Sequence, residues 1–168
     1  PGADIVPVGE DQRQHVEMAR EIARKFNNTF GETFTEPQEM IPESVAIVSG
    51  IDGQKMSKSY NNTIPLFGTD DEIKKAVMGI VTDSAGPDDP KNPDDVIIYQ
   101  IYKLVADADQ AAEMKAGLEQ GGLGYGDAKK MLLDAVLNMM RPMRERREQY
   151  VANPDQVSAI LEQGGKKM

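Results

Sequence analysis

Lys55 and Lys58 stand three residues apart in the stretch GQKMSKS at 53–59, with Met56 and Ser57 between them, Ser59 behind and Gly53 in front. Two ammonium groups on flexible stems supply mobile point charge, and serine hydroxyls with loop amides supply short donors that need no fixed plane. Gly53 gives the backbone freedom to bend towards a ligand. This is the composition of a loop that grips phosphate. A solvated surface turn has the same composition, so the elements around the loop must decide between the two.

A second candidate is Gly9, Glu10, Asp11 and Gln12, directly after the β-branched run DIVPV at 4–8. An acid beside a nucleotide ribose accepts both hydroxyl protons, and a glycine lets the backbone come close. Gln12 both donates and accepts, which suits a polar handle on a small zwitterion. Glycine and acids at a helix start are equally ordinary as caps. His15, one turn further on, reads as a surface or structural residue.

The elements that must position these residues follow from periodicity. DIVPV predicts a strand, and Val16, Ala19, Ile22, Ala23 and Phe26 recur at three and four, predicting a helix with that face inward. GEDQ therefore falls at the carboxyl end of a strand, where ligands bind in open α/β sheets. VAIVS at 45–49 predicts a second strand feeding the lysine loop, so both segments are expected to face one crevice. Thr69 with Glu72 has the pattern of a capping box, ahead of a helix with Ile73, Ala76, Val77 and Ile80 inward. TDSAGPDDPKNPDD at 82–95, with its three prolines and five aspartates, reads as a loop or linker.

Everything beyond is helical in pattern. Val96, Ile97, Ile101, Leu104 and Val105 form one stripe, a shorter helix follows near 109–119, and GGLGYG at 121–126 breaks the chain. GGLGYG lacks the Lys-Ser/Thr ending of a P-loop and reads as a connection. A long helix places Leu132, Ala135, Val136, Met139 and Met143 inward, with a kink expected at Pro142. Asn153-Pro154 opens a last helix with Val157, Ile160 and Leu161 inward and Gly164 at its end. Arg141, Arg144, Arg146 and Arg147 share the long helix with Glu145, either as a solvated face paired with acids or as a local phosphate contact. The layout is α/β followed by all-α.

Composition narrows the function classes. Over 168 residues, 39% are hydrophobic and 28% charged, and no apolar run approaches the length of a membrane span. The absence of cysteine excludes disulfides and thiolate metal sites, and a single histidine excludes a histidine cluster. A reducing cytoplasm is the expected setting. The net charge of −9 repels a phosphate backbone on average, so nucleic acid can be met only through a local patch.

KMSKS is the signature loop of class I aminoacyl-tRNA synthetases, and VPVGEDQRQHVEMAREIARKFN resembles the tryptophanyl-tRNA synthetase family. MSKSYNNTIPLF, TDS at 82–84, GYGDAKK and RPMRERR continue that similarity through nearly the whole chain. The resemblance implies the later part of a Rossmann-like catalytic domain over 1–85 and a helical anticodon-recognition domain over 86–168. It implies an aminoacyl-tRNA ligase: tryptophan and ATP give tryptophanyl-adenylate, and tRNA(Trp) then takes the acyl group. Gly9, Glu10 and Asp11 would meet ATP, with Asp11 at the ribose. Ile47 would touch adenine, and Lys55, Met56, Ser57, Lys58 and Ser59 would close over the phosphates, the two lysines being catalytic. Gln12, Val6 and Val8 would hold tryptophan, and Arg141, Arg144 and Arg147 would meet tRNA. Mg²⁺ would arrive with ATP without a protein-bound metal, and a homodimer is implied for the full-length enzyme, with no membrane partner. The HIGH-type histidine motif and much of the amino-acid pocket of that family do not occur in these residues, so the expectation is a portion with little or no activity alone. Alternatives are a tyrosyl-like synthetase of the same class and a non-catalytic tRNA-binding module.

Overall fold

The computed structural model describes residues 2–41 and 48–167. The chain divides into two compact units, Pro1–Ile47 and Val48–Met168.

The first unit is a strand–helix–strand crossover. β1 (Ile5–Pro7) leads through a 3₁₀ turn at Glu10–Gln12 into α1 (Arg13–Phe30), and the chain returns as β2 (Gln38–Met40). β2 runs parallel to β1, with Ile5 opposite Gln38, Val6 opposite Glu39 and Pro7 opposite Met40. Pro7 cannot donate to a ladder, and among the described residues β1 pairs on one side alone, with β2, a position that tolerates it. β2 was not expected: QEM lacks the β-branched run that marked β1. The predicted strand at 45–49 lies in part outside the described residues, since 45–47 fall there. Val48 and Ser49 instead pair antiparallel with the lysine loop itself, through a bridge between Ser49 and Lys55.

The expected inner face of α1 needs correction. Val16 and Ala23 are buried and Phe26 is half-buried, but Ala19 is exposed and Ile22 is 63% exposed. Two short strands cover a narrow stripe of an 18-residue helix, and the rest of its apolar surface meets solvent. The motif Arg20, Ala23, Phe26, Asn27 is what fixes the return to β2. Arg20 donates to the Pro37 carbonyl at 2.8 Å and pairs with Glu39. Phe26 packs against Phe30 and Phe34 at ring-centre distances of 4.7 and 4.8 Å. The Asn27 side chain accepts from the Thr33 and Phe34 amides and donates to the Phe34 carbonyl at 2.7 Å.

The second unit is helical around one core. α2 (Asp70–Met78), α3 (Ile97–Val105), α4 (Ala108–Gln120), α5 (Tyr125–Ala152) and α6 (Pro154–Lys167) follow in order. α5 packs on α2 and α3, and α4 packs on α3. The core joins Ile64, Ile73, Val77 and Ile80 to Ile98, Tyr102, Leu118, Leu132 and Met140, so it is continuous across residue 85. The predicted capping box is present: Thr69 Oγ1 accepts from the Glu72 amide and the Glu72 carboxylate accepts from the Thr69 amide. A second box, Asp107 with Gln110, opens α4. α3 buries Ile98, Tyr99, Ile101 and Tyr102 rather than a single stripe, because α4 and α5 both pack on it.

Two further expectations fail. α5 continues through Pro142, and Met140 is buried where Met143 was expected inward; Met143 is 48% exposed. α6 buries nothing: Ile160 and Leu161 are 50% and 70% exposed, and the helix runs past Gly164 to Lys167. Its apolar stripe is real in sequence, but α6 packs on the end of α5, which is itself largely exposed beyond Met140. Among the described residues no helix is long and apolar enough to cross a membrane.

Candidate functional site

In the first unit the GEDQ turn caps the carboxyl end of β1. Val6 and Val8 are half-buried while Ile5 and Pro7 are exposed, so the two valines share one side of the strand, as period two requires. The Val8 amide donates to the Met40 carbonyl at 3.1 Å, which extends the ladder to the edge of the turn. Gly9 is the extended cap of the 3₁₀ turn and its carbonyl accepts from the Gln12 amide at 2.9 Å. Glu10 is gripped by Arg13 through paired bonds of 2.9 Å. Gln12 donates to the Asp11 carboxylate at 3.1 Å, and its carbonyl oxygen lies 2.8 Å from His15 Nδ1. Glu10, Asp11 and Gln12 are exposed. The turn thus offers a carboxylate, an amide and close backbone at the place where α/β folds bind ligand.

In the second unit Lys55 sits on the return arm of a hairpin and Lys58 opens the turn that follows it. The Met56 amide donates to the Val48 carbonyl at 2.9 Å, and the Gly50 amide to the Gln54 carbonyl at 2.6 Å. The tip turns at Gly53, whose φ of 82° is ready access for glycine and strain for other residues. Ser57 then caps a 3₁₀ turn at Lys58–Tyr60, its hydroxyl accepting from the Ser59 amide at 3.2 Å. Met56 and Ser57 are half-buried; Lys55, Lys58 and Ser59 are exposed. Met56 is thus a half-buried residue between two exposed lysines.

The residue that organises this loop was not singled out in sequence. Asn62 is 2% exposed and its side chain bonds to Asp52, Lys55 and Ser57. The Asn62 amide and the Gln54 backbone amide hold the Asp52 carboxyl below its ordinary range. A bare Asn within MSKSYNNT carries no periodicity; only its depth in the fold identifies it.

TDS and GYGDAKK are joined in space. Tyr125 donates its hydroxyl to Asp83 at 2.7 Å. That bond, with the Ala85 amide, holds the Asp83 carboxyl below its ordinary range; burial and Asp83 push Tyr125 up to about 12. Lys91, 7% exposed, donates to the Gly86 and Asp89 carbonyls at 2.7 and 2.8 Å and lies 5.3 Å from the Tyr125 ring centre. The acidic stretch 82–95 is therefore a loop folded round a buried lysine.

The arginines of α5 have different surroundings. Arg144 pairs with Asp70 at the start of α2 at 2.5 Å. Arg147 lies over the Phe67 ring at 5.7 Å. Arg141 is exposed. Ile47 lies outside the described residues. Among the described residues no group of three acids, histidines or cysteines is placed to hold a metal ion.

Residues 1–141 match the family described as tRNA synthetases class I (W and Y). The chain is 49% identical over 166 residues to the tryptophan–tRNA ligase of Fusobacterium nucleatum, covering 98% of this chain and 51% of that protein. It is 45% identical to the ligase of Rhodopirellula baltica, covering 98% and 52%. It superimposes with a TM-score of 0.80, at 44% identity, on tryptophanyl-tRNA synthetase from Campylobacter jejuni complexed with ADP and tryptophan, over 98% of this chain and 51% of that one. The chain therefore spans about half the length of the relatives it matches. A lysine-serine hairpin, a carboxylate-amide turn at the end of a parallel strand, and a family match across most of the residues agree, and the chain belongs to the class I tRNA synthetases for tryptophan and tyrosine.

Proposed function

We propose that these residues are the later part of a cytoplasmic tryptophan–tRNA ligase, with ATP, tryptophan and tRNA(Trp) as its substrates and Mg²⁺ arriving on ATP. The observation that carries this reading is the lysine hairpin: Lys55 and Lys58 are exposed on a loop whose backbone is held by a buried amide. Identity of 44–49% to proteins named tryptophan–tRNA ligase supports tryptophan over tyrosine.

In this reading Gly9, Glu10 and Asp11 meet ATP, with Asp11 at the ribose, and Gln12 with Val6 and Val8 holds tryptophan. Lys55 to Ser59 cover the phosphates. When the tryptophan carboxylate attacks the α-phosphorus, the bond to the bridging oxygen breaks and negative charge passes to the departing pyrophosphate. Ammonium groups that tighten there act on the barrier and not merely on ground-state binding. Residues 1–85 would be the later part of the catalytic domain and 86–168 the helical domain that meets tRNA, through Arg141, Arg144 and Arg147. A homodimer is proposed for the complete enzyme.

The test is tryptophan-dependent exchange between ATP and pyrophosphate. It is measured in a chimera joining these residues to the part of the Fusobacterium nucleatum relative that precedes the matched region. Exchange driven by tryptophan supports the reading. Exchange driven by tyrosine selects the tyrosyl alternative, and tRNA binding without exchange selects a non-catalytic module.

A further inference from the structure

Asn62 is fully buried, and its amide is spent on the loop that carries the lysines. Its Oδ1 accepts from the Ser57 amide at 2.7 Å and its Nδ2 donates to the Lys55 carbonyl at 3.0 Å. On extended backbone those two groups leave the same edge on either side of one residue, here Met56. The side chain therefore stands where a neighbouring strand would stand. The opposite edge is held by the Met56 amide bonding to the Val48 carbonyl at 2.9 Å. The segment between the lysines is gripped from both edges.

The amide is braced in turn. Nδ2 also donates to Asp52 at 2.8 Å, and Asp52 accepts from the Gln54 amide at 3.0 Å. The Asn62 carbonyl accepts from the Ile51 amide at 3.0 Å. Glycine at position 50 leaves room for all this, because a Cβ there would overlap the Asn62 amide.

We infer that Asn62 is a positioning residue of the lysine loop: its buried amide, braced by Asp52, sets the direction in which Lys55 and Lys58 leave the backbone. The inference rests on the reading above that the loop acts on ATP. Preorganised charge stabilises a transition state at no further cost of reordering, whereas a loop released from Asn62 must be ordered anew in each cycle.

The decisive variant is Asn62→Asp. It keeps the size and the acceptor for Ser57, removes both donors, and sets a second carboxylate beside Asp52. In the chimera, kcat for exchange falls on the order of thirtyfold, while KM for tryptophan stays within about twofold. Adding Asp52→Asn removes the repulsion, restores a donor between the two positions, and recovers on the order of fivefold. In the 168-residue chain itself, Asn62→Ala, which removes the acceptor as well, strips the Ser57 amide of hydrogen-exchange protection while core amides of α3 and α5 keep theirs. An unchanged kcat, losses in kcat and KM that follow a loss of folded protein, or a Ser57 amide that stays protected would overturn the inference. A parent chimera with no tryptophan-driven exchange would sink the functional reading, and Ser57 exchange alone would then decide whether Asn62 fixes the loop.

Discussion

The two units hold their chemistry-bearing segments by different forces. In the first, Val16 and Ala23 are the buried apolar residues among those described, and ion pairs join the helix to the returning strand and the segment before it: Arg20 to Glu39, and Arg24 to Glu36 at 2.7 Å. Ile5, Met18, Ile22 and Phe30 stay 59–71% exposed. In the second, the lysine hairpin grows out of a dense apolar core, and the buried polar residues there, Asn62 and Lys91, are bonded to backbone. The two described strands leave most of α1 uncovered, and exposed ion pairs such as Arg24–Glu36 add little to what packing supplies. Helices that share a core leave polar side chains free to shape loops instead.

That contrast can be broken most directly at its strong end. Leu132 is fully buried in the first half of α5, and Leu132→Ala should cost about 3 kcal/mol through transfer and cavity. Val16→Ala in the first unit, beside mostly exposed neighbours, should cost about 1 kcal/mol. Urea unfolding followed by amide exchange separates the two, and equal costs would mean that the first unit is packed as firmly as the second.

Next in size is the effect on chemistry. Lys58→Ala in the chimera should lower the exchange rate roughly a hundredfold, about 3 kcal/mol, with little change in tryptophan affinity. Asp11→Asn should act chiefly on KM for ATP. Equal losses in rate and affinity for Lys58→Ala would remove its charge-stabilising role.

Acid should separate the units as well. Glu39 is held below its ordinary range by its own backbone amide and Arg20, and Glu36 by Arg24. A carboxylate depressed in the folded state contributes stability above its unfolded pKa of about 4.3, and loses it as pH falls through the folded value. α1 amides should therefore lose protection below about pH 4, before those of α3. Asp83, depressed by Tyr125, adds a similar acid loss in the second unit, where the apolar core limits its consequence. Tyr125 behaves oppositely: pushed up to about 12, its contribution is complete below pH about 10 and disappears as pH rises through about 12. α1 and α3 losing protection together on acidification would erase the distinction.

The smallest effect belongs to the α5 arginines. Removal of Arg147 should reduce the salt slope of tRNA binding by about one. Arg144, already paired with Asp70, should affect stability by about 0.5 kcal/mol and the slope less. Identical slopes would return both to an ordinary solvated face.

How much of this was legible follows the same division. β1, the Thr69 box and the α2 face were readable because each is fixed by local pattern. The lysine loop was readable by composition, but its hairpin was not, since the pairing of Ser49 with Lys55 depends on a turn at Gly53 and a brace from Asn62. β2 escaped because QEM has polar strand residues and is held by Arg20 from another element. Asp83 and Tyr125 lie 42 residues apart, a separation that periodicity cannot bridge. Ile22 and Leu161 misled because an apolar stripe states that a face can be buried, not that this chain supplies its cover.

The proposed function is tested most directly by ATP binding at the Gly9–Gln12 turn and at the Lys55–Ser59 loop. The direct measurement is amide hydrogen exchange of the chimera titrated with ATP and Mg²⁺. The account predicts that Asp11, Gln12, Ser57 and Ser59 gain protection together, at one midpoint of ATP concentration. Protection of one segment without the other, or two separate midpoints, would contradict it.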